Sequence, residues 1–233
     1  MFDLRSIVIG IILMLRKYTY IDITIYAETN EDDYKNGILV LPLIGLAVGL
    51  VAFVISSLKI FYDGFFVSAV ILAYYNIITK TVNMKDTYRT LNYYIKPKNQ
   101  SEQLSGIIGI ILINLMYFSL FRIVPSTSLI VMSVAGYSSL IILSAVINKN
   151  KENTSIMKYC GKYHIIAAFG ISFLTAVIFN YKLVISLSFT YMISGMIVSM
   201  LDEKIKLFPS SAEGFFIEIT QLLFLIITYL LKI

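Results

Sequence analysis

Cysteine and histidine are almost missing from this 233-residue chain, and charge is scarce. Cys160 stands alone, so no disulfide can form within the chain. His164 is also single, with no second histidine or cysteine near it in sequence, which argues against a zinc site and against histidine-based acid–base catalysis. Asp, Glu, Lys and Arg make up 14% of the residues, against about 25% in soluble domains. There is no low-complexity tract, no internal repeat and no soluble domain. Apolar length is what the chain has instead. It is 58% hydrophobic, with a mean hydropathy of +0.81, and its apolar residues come in long blocks that polar loops interrupt. Such a chain is an all-α, polytopic integral membrane protein, one helical transmembrane domain over residues 1–233.

Seven blocks approach the roughly 20 residues that cross a bilayer: about 38–59, 64–79, 104–122, 127–147, 164–180, 183–201 and 215–231. The second and fifth are short. A further apolar stretch lies between Arg5 and Arg16. It has the length of a signal-peptide core, but Asp3 precedes it, no small-residue cleavage site follows and Arg16-Lys17 closes it. It predicts a short retained helix, interfacial or re-entrant. Of the 19 Lys and Arg residues, 15 fall in the N-terminal segment and the long links 80–103, 148–163 and 202–214. Lys59, Arg122, Lys182 and Lys232 are the others. The positive-inside rule then predicts a plasma (inner) membrane protein with its N-terminus and long loops cytoplasmic and its C-terminus outside. That distribution accounts for the pI near 9.1 without nucleic acid as a partner; membrane lipid is the partner implied.

Small residues recur where helices can touch. Gly45 and Gly49 in GLAVG, and Gly195 and Ser199 in GMIVS, have the spacing that lets backbones approach, and helix packing is the expected role of both pairs. Pro42 falls in the first turn of its block, where proline is tolerated. The acidic run Glu28, Glu31, Asp32, Asp33 lacks the spacing of a calcium loop; with Asn30 before it, it reads as a capped helix start.

Two stretches place polar groups inside apolar surroundings. In YYNIITKTVN, Asn76, Lys80 and Asn83 are spaced i, i+4, i+7, which puts them on one face of a continuous helix. Lys80 alone is explained by snorkelling; Asn76 lies a turn deeper. In FPSSAEGFFIEITQ, Ser210 or Ser211 caps the last block with Glu213 in its first turn, whereas Glu218 sits among phenylalanines and isoleucines with Gln221 at i+3. A carboxylate there must face polar partners or a wet cavity. These two segments are expected to meet in one cavity open to the cytoplasm.

With these residues placed, the chain resembles the cobalamin synthases, or adenosylcobinamide-GDP ribazoletransferases, which are small polytopic membrane enzymes of about this length. The likeness covers most of the chain as order and spacing. The family's short apolar helix ends in FLTRIP, where this chain has MLRKYTY with Lys17 at the arginine. An acidic linker follows, and the PLxGxxxG span is matched at Pro42, Leu43, Gly45 and Gly49. Of HxDGxxDTxDG only Thr81 is kept; the three aspartates fall on Asn76, Lys80 and Asn83. Of TGDxxGAxxExxE, Gly214 and Glu218 are kept, while Ser211 and Gln221 replace two acids.

The resemblance implies a reaction that joins adenosylcobinamide-GDP to alpha-ribazole or its phosphate and releases GMP, with magnesium as cofactor if the chain is active. It implies Glu218 and Lys80 as candidate catalytic residues and Asn76, Asn83, Lys17 and Gly214 as candidate substrate contacts, with no metal ligand assigned. Two further readings stand beside it: a catalytically silent relative that binds a corrinoid, a nucleotide or a partner protein, and a small transporter. Topology has its own test. A C-terminal alkaline phosphatase fusion should be active and a C-terminal green fluorescent protein fusion dark; the reverse pattern would overturn the orientation.

Overall fold

A computed structural model describes residues 4–58, 63–94, 104–147, 155–204 and 212–233. The described residues form ten α-helices and one short 3-10 turn, with no strand. The order is α1 Leu4–Tyr18, α2 Glu31–Ile38, α3 Leu41–Ser57, α4 Gly64–Ile78, α5 Val82–Tyr94, α6 Leu104–Ile123, α7 Ser126–Leu143, the 3-10 turn Ile156–Tyr159, α8 Lys162–Asn180, α9 Leu183–Lys204 and α10 Ala212–Leu230. The expected serine cap at Ser210 or Ser211 lies outside the described residues, as do Lys59, Lys96, Lys98, Lys149, Lys151 and Lys206.

Helix α7 is the axis of the bundle. It is buried on every face from Ser128 to Leu143, as a helix apolar all round must be. Helix α3 packs along it at close range. A Cβ on Gly45 would stand 2.6 Å from the Ser133 carbonyl oxygen, and one on Gly49 would stand 2.7 Å from Ile130 Cα. GLAVG is therefore the packing seam expected of it. GMIVS is not: nothing lies within 4 Å of a Cβ placed on Gly195. Helix α10, buried along most of its length, packs against α7, α5 and α9.

Helices α6 to α10 are each long and apolar enough to cross a membrane, while α2 with α3 and α4 with α5 qualify only as pairs bent by 45° and 85°. The described residues thus hold five to seven candidate spans, and the chain is a polytopic helical membrane protein. The N-terminal helix α1 is amphipathic and packs on α2, where Gly10 and Gly37 meet backbone to backbone. The acidic run starts α2 as expected, and the Asn30 N–H donates to Asp33 Oδ2 at 2.8 Å.

One expectation fails here. Asn76, Lys80 and Asn83 do not share a helical face, because α4 ends at Ile78 and α5 leaves it at 85°. Lys80 and Thr81 take left-handed backbone angles, φ 50° and 53°. No glycine or proline marks that turn in the sequence. Helix α4 has 15 residues, about 22 Å at 1.5 Å per residue, short of a roughly 30 Å hydrocarbon core.

The α3–α7 seam leads to a paired expectation. Gly45→Val should cost about 1–3 kcal/mol through overpacking against Ser133, while Gly195→Ala should be tolerated. Thermal unfolding of both variants in detergent checks this; equal melting would contradict the seam.

Candidate functional site: a buried polar chamber beside α10

Five helices, α1, α4, α5, α6 and α7, turn polar side chains toward the N-terminal half of α10. Asn83, Glu213, Glu218 and Gln221 are all fully buried, as are Tyr75, Tyr117 and Tyr137, and Tyr18 nearly so. The Tyr75 hydroxyl lies 3.1 Å from Glu218 Oε1 and also contacts Gln221 Oε1. Tyr117 donates to the Glu218 backbone carbonyl at 3.0 Å and stands 3.4 Å from Gln221 Oε1. The Asn83 carboxamide lies in interaction range of Tyr75, Tyr137 and Glu218, yet neither of its polar atoms makes a hydrogen bond. Glu218 Oε2 and Gln221 Nε2 are unpartnered as well. Leaving such groups unsatisfied costs about 1–3 kcal/mol each, so this is a polar chamber with open hydrogen-bonding capacity.

A second acid lies one helical turn nearer the start of α10, and it is saturated. Glu213 Oε2 takes Lys17 Nζ at 2.6 Å and the Tyr18 hydroxyl at 2.5 Å, and Oε1 takes the Ile156 N–H at 2.8 Å. Burial, with the negative Glu213 beside it, pushes the Tyr18 phenol well above its usual range, so Tyr18 stays a proton donor. Gly214 is a crossing point: a Cβ there would stand 2.6 Å from Asp86 Cβ and 2.7 Å from Asn83 Cα. That contact seats α5 on α10 and brings Asn83 to Glu218.

The fold therefore gathers only part of the sequence-derived set. Asn83, Glu218 and Gln221 meet in the chamber, with Gly214 at its edge and Lys17 beside it on Glu213. Asn76 and Lys80 lie elsewhere. With Tyr20, Ile77 and Thr81 they line a separate surface pocket of about 330 Å³. The Asn76 amide donates to the Leu72 carbonyl at 3.0 Å and stands 3.4 Å from Asn114 Oδ1. The bend at Thr79–Thr81 is what divides the expected single cavity in two.

The chamber does not suit magnesium. That ion needs several oxygen ligands in near-octahedral array, usually carboxylates with waters and substrate phosphates. Glu218 is the one carboxylate among the unpartnered groups of the chamber, its neighbours being amides and phenols; Glu213 has both oxygens taken, and Asp86 packs against Gly214 on the Glu213 side. Among the described residues no three acids, histidines or cysteines converge.

A transferase is similar to the chain over its whole length. The adenosylcobinamide-GDP ribazoletransferase of Alkaliphilus oremlandii (strain OhILAs) is 22% identical over 237 residues, which cover 96% of this chain and 98% of that protein. No family model and no solved structure matches the chain. The likeness gives distant support to kinship with the cobalamin synthases.

Sequence reasoning missed the tyrosines and the buried role of Glu213. Tyr18, Tyr75, Tyr117 and Tyr137 are four of 17 tyrosines, and no local pattern separates them from the rest. Glu213 has the sequence setting of an exposed first-turn acid; only the return of α1 onto α10 buries it. Lys17→Met should destabilise the protein by about 2–3 kcal/mol, less than the loss of a wholly buried pair because Lys17 keeps part of its ammonium in solvent. Adding Glu213→Gln should recover most of that loss. A double-mutant cycle on thermal stability measures the coupling, and additive losses would show that the pair is not coupled.

Proposed function

We propose that this chain is a divergent cobalamin-synthase-like protein of the plasma (inner) membrane. It works in cobalamin biosynthesis, binding a corrinoid-nucleotide substrate from the cytoplasmic side without magnesium-dependent transfer. The observation that carries the reading is the full-length similarity to an adenosylcobinamide-GDP ribazoletransferase. The place of Asn83 and Glu218 agrees with it. The resemblance aligns them with two separate acidic motifs, and they lie together.

The chemistry of the donors separates binding from catalysis. Phosphoryl-group chemistry rests on positioning and on neutralising charge. Here amides stand at two of the acidic positions, Asn83 and Gln221, and one acid remains. Carboxamides hydrogen-bond a polar ligand with both donors and acceptors but do not concentrate divalent cations. Asn83 Nδ2 and Oδ1, Glu218 Oε2 and Gln221 Nε2 are the groups with capacity to spare. Lys17 holds Glu213, which stands on α10 before Glu218. Membership of a family does not carry its activity when the reacting residues differ.

The test uses purified full-length protein in detergent. Adenosylcobinamide-GDP should co-elute with the protein and bind saturably, read from the corrinoid absorbance, and Glu218→Ala should weaken binding. Adding alpha-ribazole and magnesium should yield no new corrinoid. Magnesium-dependent product that disappears in Glu218→Gln would establish an active transferase instead. Neither binding nor product would remove the cobalamin reading altogether.

A further inference from the structure

We infer that residues 20–28, in the link between α1 and α2, pair with the same segment of a second copy of this chain as two antiparallel strands. The surface stands apart from the chamber beside α10, and the inference holds whether or not the chain binds a corrinoid.

The first observation concerns the backbone. The link 19–30 is neither helix nor strand in the single chain. Its centre, YIDITIYAE, nevertheless has the composition of a strand, rich in β-branched and aromatic residues and without glycine or proline. Across 22–29 no backbone N–H or carbonyl makes a hydrogen bond to the described residues. Exposure along the segment has a period of two. Ile21 and Ile23 are 46% and 42% exposed and Ile25 and Ala27 are partly buried, while Tyr20 and Tyr26 reach 67% and 98%. Asp22, Thr24 and Glu28, on the same side as the two tyrosines, are exposed as well. That is the alternation of an extended strand with one apolar face. Its unpaired backbone groups form a template for a further strand.

The second observation concerns charge, and it selects the occupant. Ion pairs at this end of the molecule join Arg16 to Asp22, Lys17 to Glu213 and Lys35 to Asp32. Among the described residues Glu28 and Lys80 have no ion-pair partner. The Lys80 ammonium lies 5.7 Å from the centre of the Tyr20 ring. In an antiparallel pair centred on Thr24, Tyr20 faces Glu28 of the second copy. That carboxylate comes beside Lys80, and two-fold symmetry makes the contact twice. Asp22 faces the Tyr26 hydroxyl, and Ile23 faces Ile25. Other registers match poorly. A shift of two residues one way sets Asp22 against Glu28; the other way it sets Tyr20 against Tyr26 and leaves Glu28 apart from Lys80. A shift of one residue sets the isoleucine face against the polar face. The segment is self-complementary in one register. Two copies share one orientation in a membrane, so a two-fold axis along the membrane normal brings the same ends together and closes the assembly at a dimer.

The test uses the full-length protein in mild detergent and in liposomes. Light scattering should give a protein mass twice the 26.4 kDa of one chain, falling on dilution. With Cys160→Ser as background, Thr24→Cys should form a disulfide-linked dimer on mild oxidation, because opposed Cα atoms of an antiparallel pair lie about 4.5–5.5 Å apart. Tyr20→Cys should not link to itself, but should link to Glu28→Cys when the two variants are mixed. Thr24→Pro removes an N–H that has no partner within the chain, so circular dichroism should be unchanged while the protein becomes monomeric. Lys80→Glu or Glu28→Lys alone should weaken the dimer roughly tenfold, and both in one chain should restore it. A monomer at every concentration, a dimer indifferent to Thr24→Pro and to charge reversal, or Tyr20→Cys linking to itself would overturn the inference. The chain has no tryptophan, so Tyr26→Trp reports on the segment alone; a monomer whose emission shifts to the blue in liposomes would assign the segment to the bilayer surface instead. None of these readouts involves Glu218 or a corrinoid, so failure here leaves the chamber reading to its own test.

Discussion

Glu213 puts a carboxylate at the buried start of α10, in a bundle where solvent cannot reach it, and that charge dictates what gathers around it. An ionised carboxylate out of water needs a cation and hydrogen-bond donors to offset its desolvation. Lys17, Tyr18 and the Ile156 backbone N–H supply them. They come from two distant parts of the chain: Lys17 and Tyr18 from the end of α1, and Ile156 from the 3-10 turn before α8. Satisfying one side chain thus ties the N-terminal helix and a distant link to the same end of the bundle. The tie has a further effect. With α1 ending at Tyr18, the next residues reach α4, and the Tyr20 N–H meets the Ile78 carbonyl. The pocket under Lys80 takes its Tyr20 wall from this arrangement.

Polar groups in the interior fall into two kinds. Around Glu213 both carboxylate oxygens are occupied and the arrangement is structural. Around Glu218 the arrangement is incomplete: three side chains from α5 and α10 retain unpartnered atoms at full burial. A membrane bundle keeps unsatisfied polar groups where they face a wet cavity or a ligand. That contrast places the functional reading in the chamber, not at the ion pair, although the ion pair carries the larger charge.

Similarity to a transferase and the chemistry of the donors pull in different directions, and physics accounts for both. Replacing aspartate by asparagine or glutamate by glutamine keeps side-chain volume and hydrogen-bonding reach while removing the charge. Packing built on those positions survives such exchanges; attraction for a divalent cation does not. The proposed reading, a scaffold kept without the metal chemistry, is in keeping with a likeness of 22% identity over 96% of the chain. Lys80 is a different exchange. It adds a cation, and the bend beside it carries that cation out of the chamber to a surface pocket of its own.

Sequence alone determined the membrane class and the positions of the seven apolar blocks, because a bilayer demands roughly 20 apolar residues per crossing and nothing else yields that pattern. It also determined local starts and seams. Asn30 with Asp33 caps α2, Pro42 sits in the first turn of α3, and Gly45 and Gly49 form a contact, since each effect acts through neighbours in the chain or through the absence of a side chain. Glu218 was legible for the same reason, being a carboxylate amid phenylalanines and isoleucines. Tertiary structure decided the rest. The bend after Ile78 lacks glycine and proline, so local preference does not account for its left-handed residues. The burial of Glu213 depends on Lys17, 196 positions away, and the tyrosine cage on four helices converging. Periodicity along a chain reports which residues face inward; it carries no information about which inward-facing groups from different helices will meet.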